Sequence, residues 1–515
     1  MSKRNSLAVT QRTEKRIKLV PPDGGWGWMI LIGTALSNIF NQSMLSLFSL
    51  LYGDVIEAMG HGTQGAAVVL STMLFVTNFG GHIAGAIVKL TSTRTVAVAG
   101  AVACTTGIFL SGFSTNLFHL CFTYGILLGM GLGFIQNSSF VAINSYFKLR
   151  KSRAVGLANV GTGVGQSLMP HVVRYLLENF GFRGACLLLS SLSLHGIAGT
   201  MLIQPVEWHM KKVEEEVVID ETARLLDEKR KEIVINKDYV NGDKNGRRAT
   251  EPTIVNDKEK DKHLTNNMSQ SYKELQLEKR ASSENVKENI EAPKQKKSML
   301  RKLYDLFDIS LLSSPRFLNI IIGTALTVTS IQNFSMLYPL YLQNVAGMDK
   351  QQTANCMSAV ALADIAGRLI LPTFQDKFKI KARIMLIMTS IWLIIIRQIL
   401  AVQTGVNVLL LLSALYGFGR SMVIVARNIA ISENCRMDQV PAAVGLGMLS
   451  MGIIVPPAGY FLGWIRDYTG SYWACITAQN GLLVLFLMMW VPDMILVYYE
   501  ERRAKQKPKE EIQLS

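Results

Sequence analysis

Twelve apolar segments, each long enough to cross a bilayer, divide the chain into two groups of six. A transmembrane helix needs about 20 largely apolar residues to cross roughly 30 Å of hydrocarbon. Inside lipid its backbone polar groups must also be satisfied within the segment. The segments lie near 27–52, 64–88, 95–113, 116–139, 154–177 and 182–203, and then near 317–342, 353–373, 383–402, 405–431, 442–465 and 472–496. The pattern predicts an all-α membrane protein with 12 transmembrane helices in two six-helix bundles.

The stretch between the two groups has a different composition. Residues 204–314 hold 22 basic and 22 acidic residues, although only 18% of the whole chain is charged. Such a charged segment with few aromatic residues favours disorder, and we expect a short helix only around 214–232. The predicted organisation is an N-terminal segment (1–24), a first bundle (25–203), a mostly disordered loop (204–314), a second bundle (315–497) and a tail (498–515).

The basic residues indicate the orientation of the chain. The formal net charge is +15, but the basic residues form short clusters in loops on one side of the predicted bundles, not one solvated face typical of a nucleic-acid binder. The positive-inside rule therefore predicts that both termini and the central loop are cytoplasmic. We expect a multi-pass protein of the plasma membrane. The six cysteines stand singly, and no metal or cofactor motif is present.

Two six-helix halves joined by a long loop match the architecture of the major facilitator superfamily. In that fold, substrate binds near the midplane between the halves, which rock to alternate access. At this level the match is one of architecture alone.

Two sequence motifs, and a third block in the second half of the chain, make the resemblance more specific. DGGWGW (23–28) opens the first segment, where an acidic residue suits the positive end of a helix and two tryptophans suit the membrane interface. A second block, starting YFKLRKSRAVGLA at 146, opens the fifth segment, and GYFLGWIRDYTGSY occupies 459–472. Together they resemble the signatures of the monocarboxylate transporter family. The matching positions of the first two motifs are Asp23, Gly24, Gly25, Trp26, Trp28, Tyr146, Phe147, Arg150, Gly156, Gly161 and Gly165.

An ion pair is expected inside the eighth segment. Asp364 and Arg368 share one helix face at i,i+4 spacing, and ionised residues within a membrane are expensive and seldom decorative. Arg368 can present a planar fork to a carboxylate. The alternative is a self-neutralised pair that only joins two helices. The family resemblance implies that the pair binds substrate and that Asp364 takes part in proton coupling, that is, in symport.

Further arginines occur in the ninth and tenth segments. Arg420 and Arg427 lie seven residues apart and share a face, and Arg420 is expected to line the cavity beside Arg368. Arg427 is expected to snorkel to the interface or to pair with Glu433, and Arg397 to lie at the outer interface. An electropositive cavity favours an anionic solute, including one with more than one acidic group.

The first segment departs from the family pattern. Lactate–proton symporters of the family have a lysine that aligns with Ser46, and this chain offers a neutral stripe of Asn38, Gln42 and Ser46 instead. Either Arg420 replaces the missing charge or the substrate is not a simple lactate-like acid. Asn78 and Asn159 are weaker polar candidates, since a lone polar residue in a bundle more often joins two helices. Tyr338, near the outer end of the seventh segment, is a candidate for an aromatic substrate.

The sequence therefore predicts a transporter of a small organic anion, most plausibly a monocarboxylate, with a proton as the second solute left open. The alternatives are a proton-independent carrier of a larger aromatic or zwitterionic carboxylate, and a non-transporting membrane sensor. Motifs of an enzyme are absent, and neither a cofactor nor a nucleic-acid partner is expected. The family resemblance implies the bilayer and a single-span accessory glycoprotein as partners.

Overall fold

The computed structural model describes residues 11–60, 62–220 and 299–513. In chain order, the regular elements of the first part are β1 (Gln11–Val20), α1 (Gly27–Ser37), a π-helix (Asn38–Gln42), α2 (Met44–Ala58), α3 (Gly62–Leu90), α4 (Thr93–Ser111), α5 (Leu117–Leu120), a second π-helix (Cys121–Leu128), α6 (Gly129–Tyr146), α7 (Lys151–Met201), a 3₁₀ turn (Val206–Trp208) and β2 (Lys211–Asp220). The second part contains α8 (Met299–Leu306), a 3₁₀ turn (Ile309–Ser313), α9 (Pro315–Asn344), α10 (Lys350–Phe378), α11 (Ala382–Leu400), α12 (Val406–Ser432), α13 (Val440–Thr469) and α14 (Tyr472–Gln513).

The twelve predicted spans are accounted for by these helices. Within the described ranges, 10 helices are long and apolar enough to cross a membrane. The first predicted span is not among them because the π-helix at Asn38–Gln42 divides it into α1 and α2. The fifth and sixth predicted spans form the single helix α7, whose backbone is broken at Gly181 (φ 65°, ψ −177°). The prediction of an all-α membrane protein is confirmed.

A small two-stranded sheet is the departure from this all-helical plan. β1 pairs with β2, and apart from Val20 and Lys211 the two strands belong to a unit distinct from the helical one. The helix expected around 214–232 is wrong for its first seven residues, because Lys211–Asp220 is extended. This sequence, KKVEEEVVID, ends in β-branched residues that favour a strand. The rest of that predicted helix, and most of the loop predicted to be disordered, lie outside the described residues.

Within the helical unit, α1–α7 form an N-terminal half and α9–α14 a C-terminal half. The halves meet where α3 packs against α13 and where α7 packs against α10. These contacts are close because glycines face backbone. A Cβ at Gly85 would overlap Pro441 of α13, and one at Gly156 would overlap Arg368 and Pro372 of α10.

Polar contacts reinforce the junction at one end, which we call the basic end because it carries Lys89 and the stretches 148–153 and 377–383. Asp376 of α10 accepts hydrogen bonds from the backbone N–H groups of Ser152 (3.2 Å) and Arg153 (2.8 Å) at the start of α7. Lys89 pairs with Asp308. The halves are therefore closed against each other at the basic end.

A second basic-end contact joins α7 to the end of α12. Lys151 Nζ donates to Ser432 Oγ at 2.5 Å. The adjacent Glu433 accepts from the backbone N–H of Ala382 at 3.1 Å, and its burial raises the pKa of the Glu433 carboxyl above its ordinary value. This carboxylate thus caps the start of α11 from the loop that follows α12.

Candidate functional site

A carboxylate shared by two arginines lies in the interior of the C-terminal half. Arg368 Nη2 lies 2.6 Å from Asp364 Oδ2 on the same face of α10, as the i,i+4 spacing predicts. Arg420 of α12 brings its Nε to 3.4 Å from the other oxygen, Oδ1. Neither of these last two atoms has a hydrogen-bond partner, so the Arg420–Asp364 contact is an ion pair without hydrogen-bond alignment.

The two arginines differ in their access to solvent. The side chain of Arg368 is 2% exposed and that of Arg420 is 18% exposed. Arg420 is held by Ser335 of α9, whose Oγ accepts from Nη1 at 3.3 Å. The more accessible part of the cluster is therefore the Arg420 guanidinium.

Arg368 also links the two halves. Its Nη1 donates to the backbone carbonyl of Asn159 on α7 at 2.5 Å, and its Nε has no partner. The cluster thus lies at the interface of the halves and is not remote from it. Because one N–H of the fork is bonded to the N-terminal half, any separation of α7 from α10 would release it.

Two further arginines are placed differently from the sequence expectation. Arg397 was expected at the outer interface, but it is 0% exposed. It donates to Ser330 at 2.7 Å, and its guanidinium lies over the rings of Phe334 (4.5 Å) and Tyr416 (5.2 Å). Arg427 does not reach Glu433; its Nη1 lies 3.5 Å from Met451 Sδ. Arg397 is therefore buried within the bundle and not at the outer interface, and Arg427 bonds to Met451 and not to Glu433.

These positions give the C-terminal half an excess of positive charge. Among the described residues, the middle of this half contains four guanidinium groups, and one carboxylate, Asp364, pairs with two of them, Arg368 and Arg420. The other two belong to Arg397 and Arg427. Arg420 repels both Arg368 and Arg397. A buried charge without a partner is costly, so this interior favours an anion.

The three asparagines among the neutral candidates of the N-terminal half donate to backbone carbonyls. Asn38 Nδ2 donates to the carbonyl of Ala158 at 2.9 Å and so joins the first π-helix to α7. Asn78 and Asn159 each donate to the carbonyl four residues earlier. Gln42 is partly buried, and the side chain of Ser46 lies outside what the structure describes. The described side-chain hydrogen bonds of Asn38, Asn78 and Asn159 do not go to Arg368, although the backbone carbonyl of Asn159 accepts from it.

Tyr338 belongs to a buried cluster and not to an open pocket. It is 1% exposed, its hydroxyl lies 2.5 Å from Ser413 Oγ, and its ring stacks on Phe334 at 5.3 Å. Phe334 and Tyr416 continue the cluster to Arg397. In this conformation the aromatic side chains support Arg397 from within the C-terminal half.

The two family motifs contact each other. Asp23 accepts from the backbone N–H groups of Lys148 (2.6 Å) and Leu149 (2.8 Å), while Trp28 packs edge-on against Phe147 at 5.6 Å. Asp23 was expected to favour the start of its own helix, but the Trp26 N-cap of α1 has no side-chain hydrogen bond. The carboxylate instead orders the turn before α7.

Some contributors to the site were not predicted from the sequence. Ser335 and the backbone carbonyl of Asn159 bond to the arginines, and a carbonyl carries no signal in a sequence. The seven-residue spacing of Arg420 and Arg427 did place both on one face. Arg427 was assigned to the interface because its depth depends on how α12 packs, which spacing does not give.

Comparison with known proteins gives matches over most of the chain. A sequence profile of the Major Facilitator Superfamily matches residues 31–453 and 320–514. The chain is 31% identical to monocarboxylate transporter 13 of Rattus norvegicus over 186 residues, which is 36% of this chain and 44% of that protein. It is 33% identical to monocarboxylate transporter 2 of Meriones unguiculatus over 187 residues, covering 36% and 39% of the two chains. These alignments span about two fifths of the relatives' own length.

Solved structures resemble this chain over a larger share of its length than the curated relatives do. The proton:xylose symporter XylE has a TM-score of 0.58 and 12% identity, covering 91% of this chain and 96% of that one. The human organic anion transporter MFSD10 (TETRAN) also has a TM-score of 0.58, with 14% identity, covering 91% and 100%. At such identities the likeness concerns the fold alone.

Proposed function

Since the chain belongs to the major facilitator superfamily and is a relative of monocarboxylate transporters, we propose that it carries a small organic anion, in the first place a monocarboxylate, by alternating access. The chain is a membrane transporter and not an enzyme. What the proposal adds is the chemistry of the solute and the residues that bind it. It is supported above all by the Asp364 carboxylate shared between Arg368 and Arg420 at the interface of the halves.

Binding begins at Arg420. Its guanidinium is the more exposed of the two, and its Nε is aligned with no acceptor. A substrate carboxylate there accepts from Arg420 and competes with Asp364 for Arg368, whose fork suits a planar anion. The excess of guanidinium groups makes the arrival of one negative charge favourable, because it reduces repulsion among them.

Binding at Arg368 then affects the contact between the halves. The Arg368 bond to the Asn159 carbonyl is one of the links between α7 and α10. An anion that turns the guanidinium away breaks this link and lowers the cost of opening at the basic end. If the substrate takes the place of Asp364 at Arg368, the Asp364 carboxylate loses this ion pair, and a proton that binds to Asp364 neutralises its charge. Proton coupling is part of the proposal for this reason.

The orientation follows from the charge of the loops. The positive-inside rule places the basic end in the cytoplasm, with both termini there and the protein in the plasma membrane. In the closed arrangement of α3 with α13 and α7 with α10, the site would then be reached from outside. Uptake would require these two helix pairs to separate.

The test is uptake by the purified full-length protein in liposomes, with labelled monocarboxylates, dicarboxylates, aromatic carboxylates and a neutral sugar, each at two pH values. We expect saturable uptake of monocarboxylates and none of the sugar, with Arg368→Ala inactive. Arg174→Gln is the matched control, since Arg174 forms an exposed pair with Glu178. Uptake only of aromatic or zwitterionic acids would favour the larger-substrate alternative, and no uptake of any solute would favour a sensor.

A further inference from the structure

Among the described residues, the guanidinium of Arg427 has no acidic partner. Its hydrogen bond within this part of the chain goes to the sulfur of Met451, and a thioether is a weak acceptor. Its Nε is shielded from solvent and has no partner. In the described part of the chain, no carboxylate lies within ion-pair distance of it. The residue as a whole is partly exposed.

Its position continues the line of the substrate cluster toward the basic end. Arg427 follows Arg420 by seven residues, which is about 10 Å along a helix and close to two full turns. α12 ends at Ser432, next to the basic-end contact with Lys151. Arg427 is also near enough to Arg368 to be repelled by it. A cation held at this place without a counter-ion is unfavourable unless an anion occupies it for part of the cycle.

The partner of Arg427 lies in the seal between the halves. Met451 precedes Gly452, and α13 packs against α3 through Gly452 at Asn78 and through Gly445 at His82. Opening at the basic end separates α13 from α3 along this strip. Arg427 would then face the widened gap, while Arg420 would face the side that closes.

We propose that Arg427 is a second anion subsite, which receives the substrate carboxylate from the Arg368–Arg420 cluster when the basic end opens. This proposal rests on the proposed function, since it assigns the inner step of the same pathway. The subsite binds carboxylate only through guanidinium N–H groups. It has no counter-carboxylate of its own, so it attracts the anion without requiring a proton.

The experiment compares the two directions of flux. The full-length protein is reconstituted with known sidedness, and initial rates are measured with labelled L-lactate and succinate from each side. Arg427→Gln is expected to raise KM at least tenfold for flux that starts at the basic end and less than twofold from the other end. Arg427→Lys keeps the charge and restores most of the affinity, while Arg174→Gln changes neither KM. Equal changes on both sides, or no change on either, overturn the proposal.

Thermal unfolding of the purified protein separates this proposal from the proposed function. L-lactate or succinate should stabilise the wild type beyond sodium chloride of equal ionic strength, and this gain should shrink in Arg427→Gln. If the wild type is stabilised but transports neither probe, the proposed function fails, and an undiminished gain in the variant overturns the subsite. If neither L-lactate nor succinate stabilises the wild-type protein or is transported by it, both the proposed function and the subsite are overturned. If the Gln variant does not fold, the small rise in KM that remains in the Lys variant must be confined to flux that starts at the basic end, and an equal rise from both ends overturns the subsite.

Discussion

The interior of the N-terminal half is joined by neutral hydrogen bonds, whereas that of the C-terminal half contains charges. Asn41 accepts from Ser193 at 2.6 Å, Ser193 also contacts Thr105 at 2.9 Å, and Tyr52 lies 2.5 Å from Ser111. The C-terminal half instead contains four arginines in its middle, and two of them, Arg368 and Arg420, contact Asp364. Two halves of similar helix content thus differ in chemistry. We infer that the charged half selects the solute and the neutral half provides the surface against which it moves.

The largest effect is expected at Arg368. Arg368→Ala should reduce anion uptake at least a hundredfold, because it removes both the carboxylate fork and the link to Asn159. Uptake is measured in proteoliposomes, with surface expression in cells as the control. Normal uptake by this variant would mean that the charged half does not select the solute and that the ion pair is structural.

The next effect is expected at Arg420, which has no counterpart in the N-terminal half. Arg420→Gln should raise the KM for monocarboxylates about tenfold, which corresponds to about 1.4 kcal/mol and so to the lower end of what a hydrogen bond to a charged group contributes. Arg420→Lys should be intermediate, since an ammonium keeps the charge but not the fork. A change in maximal rate at constant KM would place Arg420 outside the binding step.

Asp364→Asn tests whether the charged half also carries the proton. We expect this variant to lose any stimulation of uptake by an inward proton gradient, while it keeps exchange of anion for anion. The measurement is uptake with and without the gradient, at equal internal and external anion in the exchange assay. If uptake by the wild-type protein is the same with and without the proton gradient, transport is not coupled to a proton.

A smaller effect is expected from the neutral half. Ser193→Ala removes bonds to Asn41 and Thr105 and should lower the free energy of unfolding by about 1–2 kcal/mol. The KM should stay within twofold of the wild type. Thermal unfolding and uptake are measured on the same preparation. A large KM change without loss of stability would contradict the division between the halves.

The smallest effect concerns Glu433, outside the membrane-spanning segments. Because burial raises the pKa of this carboxyl in the folded protein, the folded state binds its proton more tightly than the unfolded chain does. Stability should therefore fall as pH rises from the ordinary value of 4.5 toward the raised one. We expect a change of about 1–3 °C in melting temperature, and none of it in Glu433→Gln. An identical pH profile in the variant would show that Glu433 does not contribute.

The fold and the family could be predicted from the sequence because each rests on long, redundant signals. Each predicted span is long enough to cross a bilayer, and the motifs at 23–28 and 146–165 both match the family signature. Both predictions are confirmed by the superfamily profile and by the curated relatives. The i,i+4 geometry of Asp364 and Arg368 follows from the helix itself.

The contacts that the sequence did not predict depend on packing between helices. An arginine near the end of a helix can lie at the membrane interface or inside the bundle, and the sequence does not distinguish the two. The positions of Phe334 and Tyr416 in the structure show that Arg397 is inside. Asp23 precedes a helix, yet it bonds to Lys148 and Leu149, more than 120 residues away. Such contacts are tertiary, and neither spacing nor composition contains them. The roles of the candidate site residues in transport remain predictions.

The carboxylate of Asp376 completes the first turn of a helix that belongs to the other half. When the halves separate there, the amides of Ser152 and Arg153 lose their acceptor and become available to water. The first turn of α7 should then exchange its amide hydrogens for deuterium at a rate set by how often the molecule opens. The exchange rate of these two amides therefore reports how often the basic end opens, and it can be measured without a substrate.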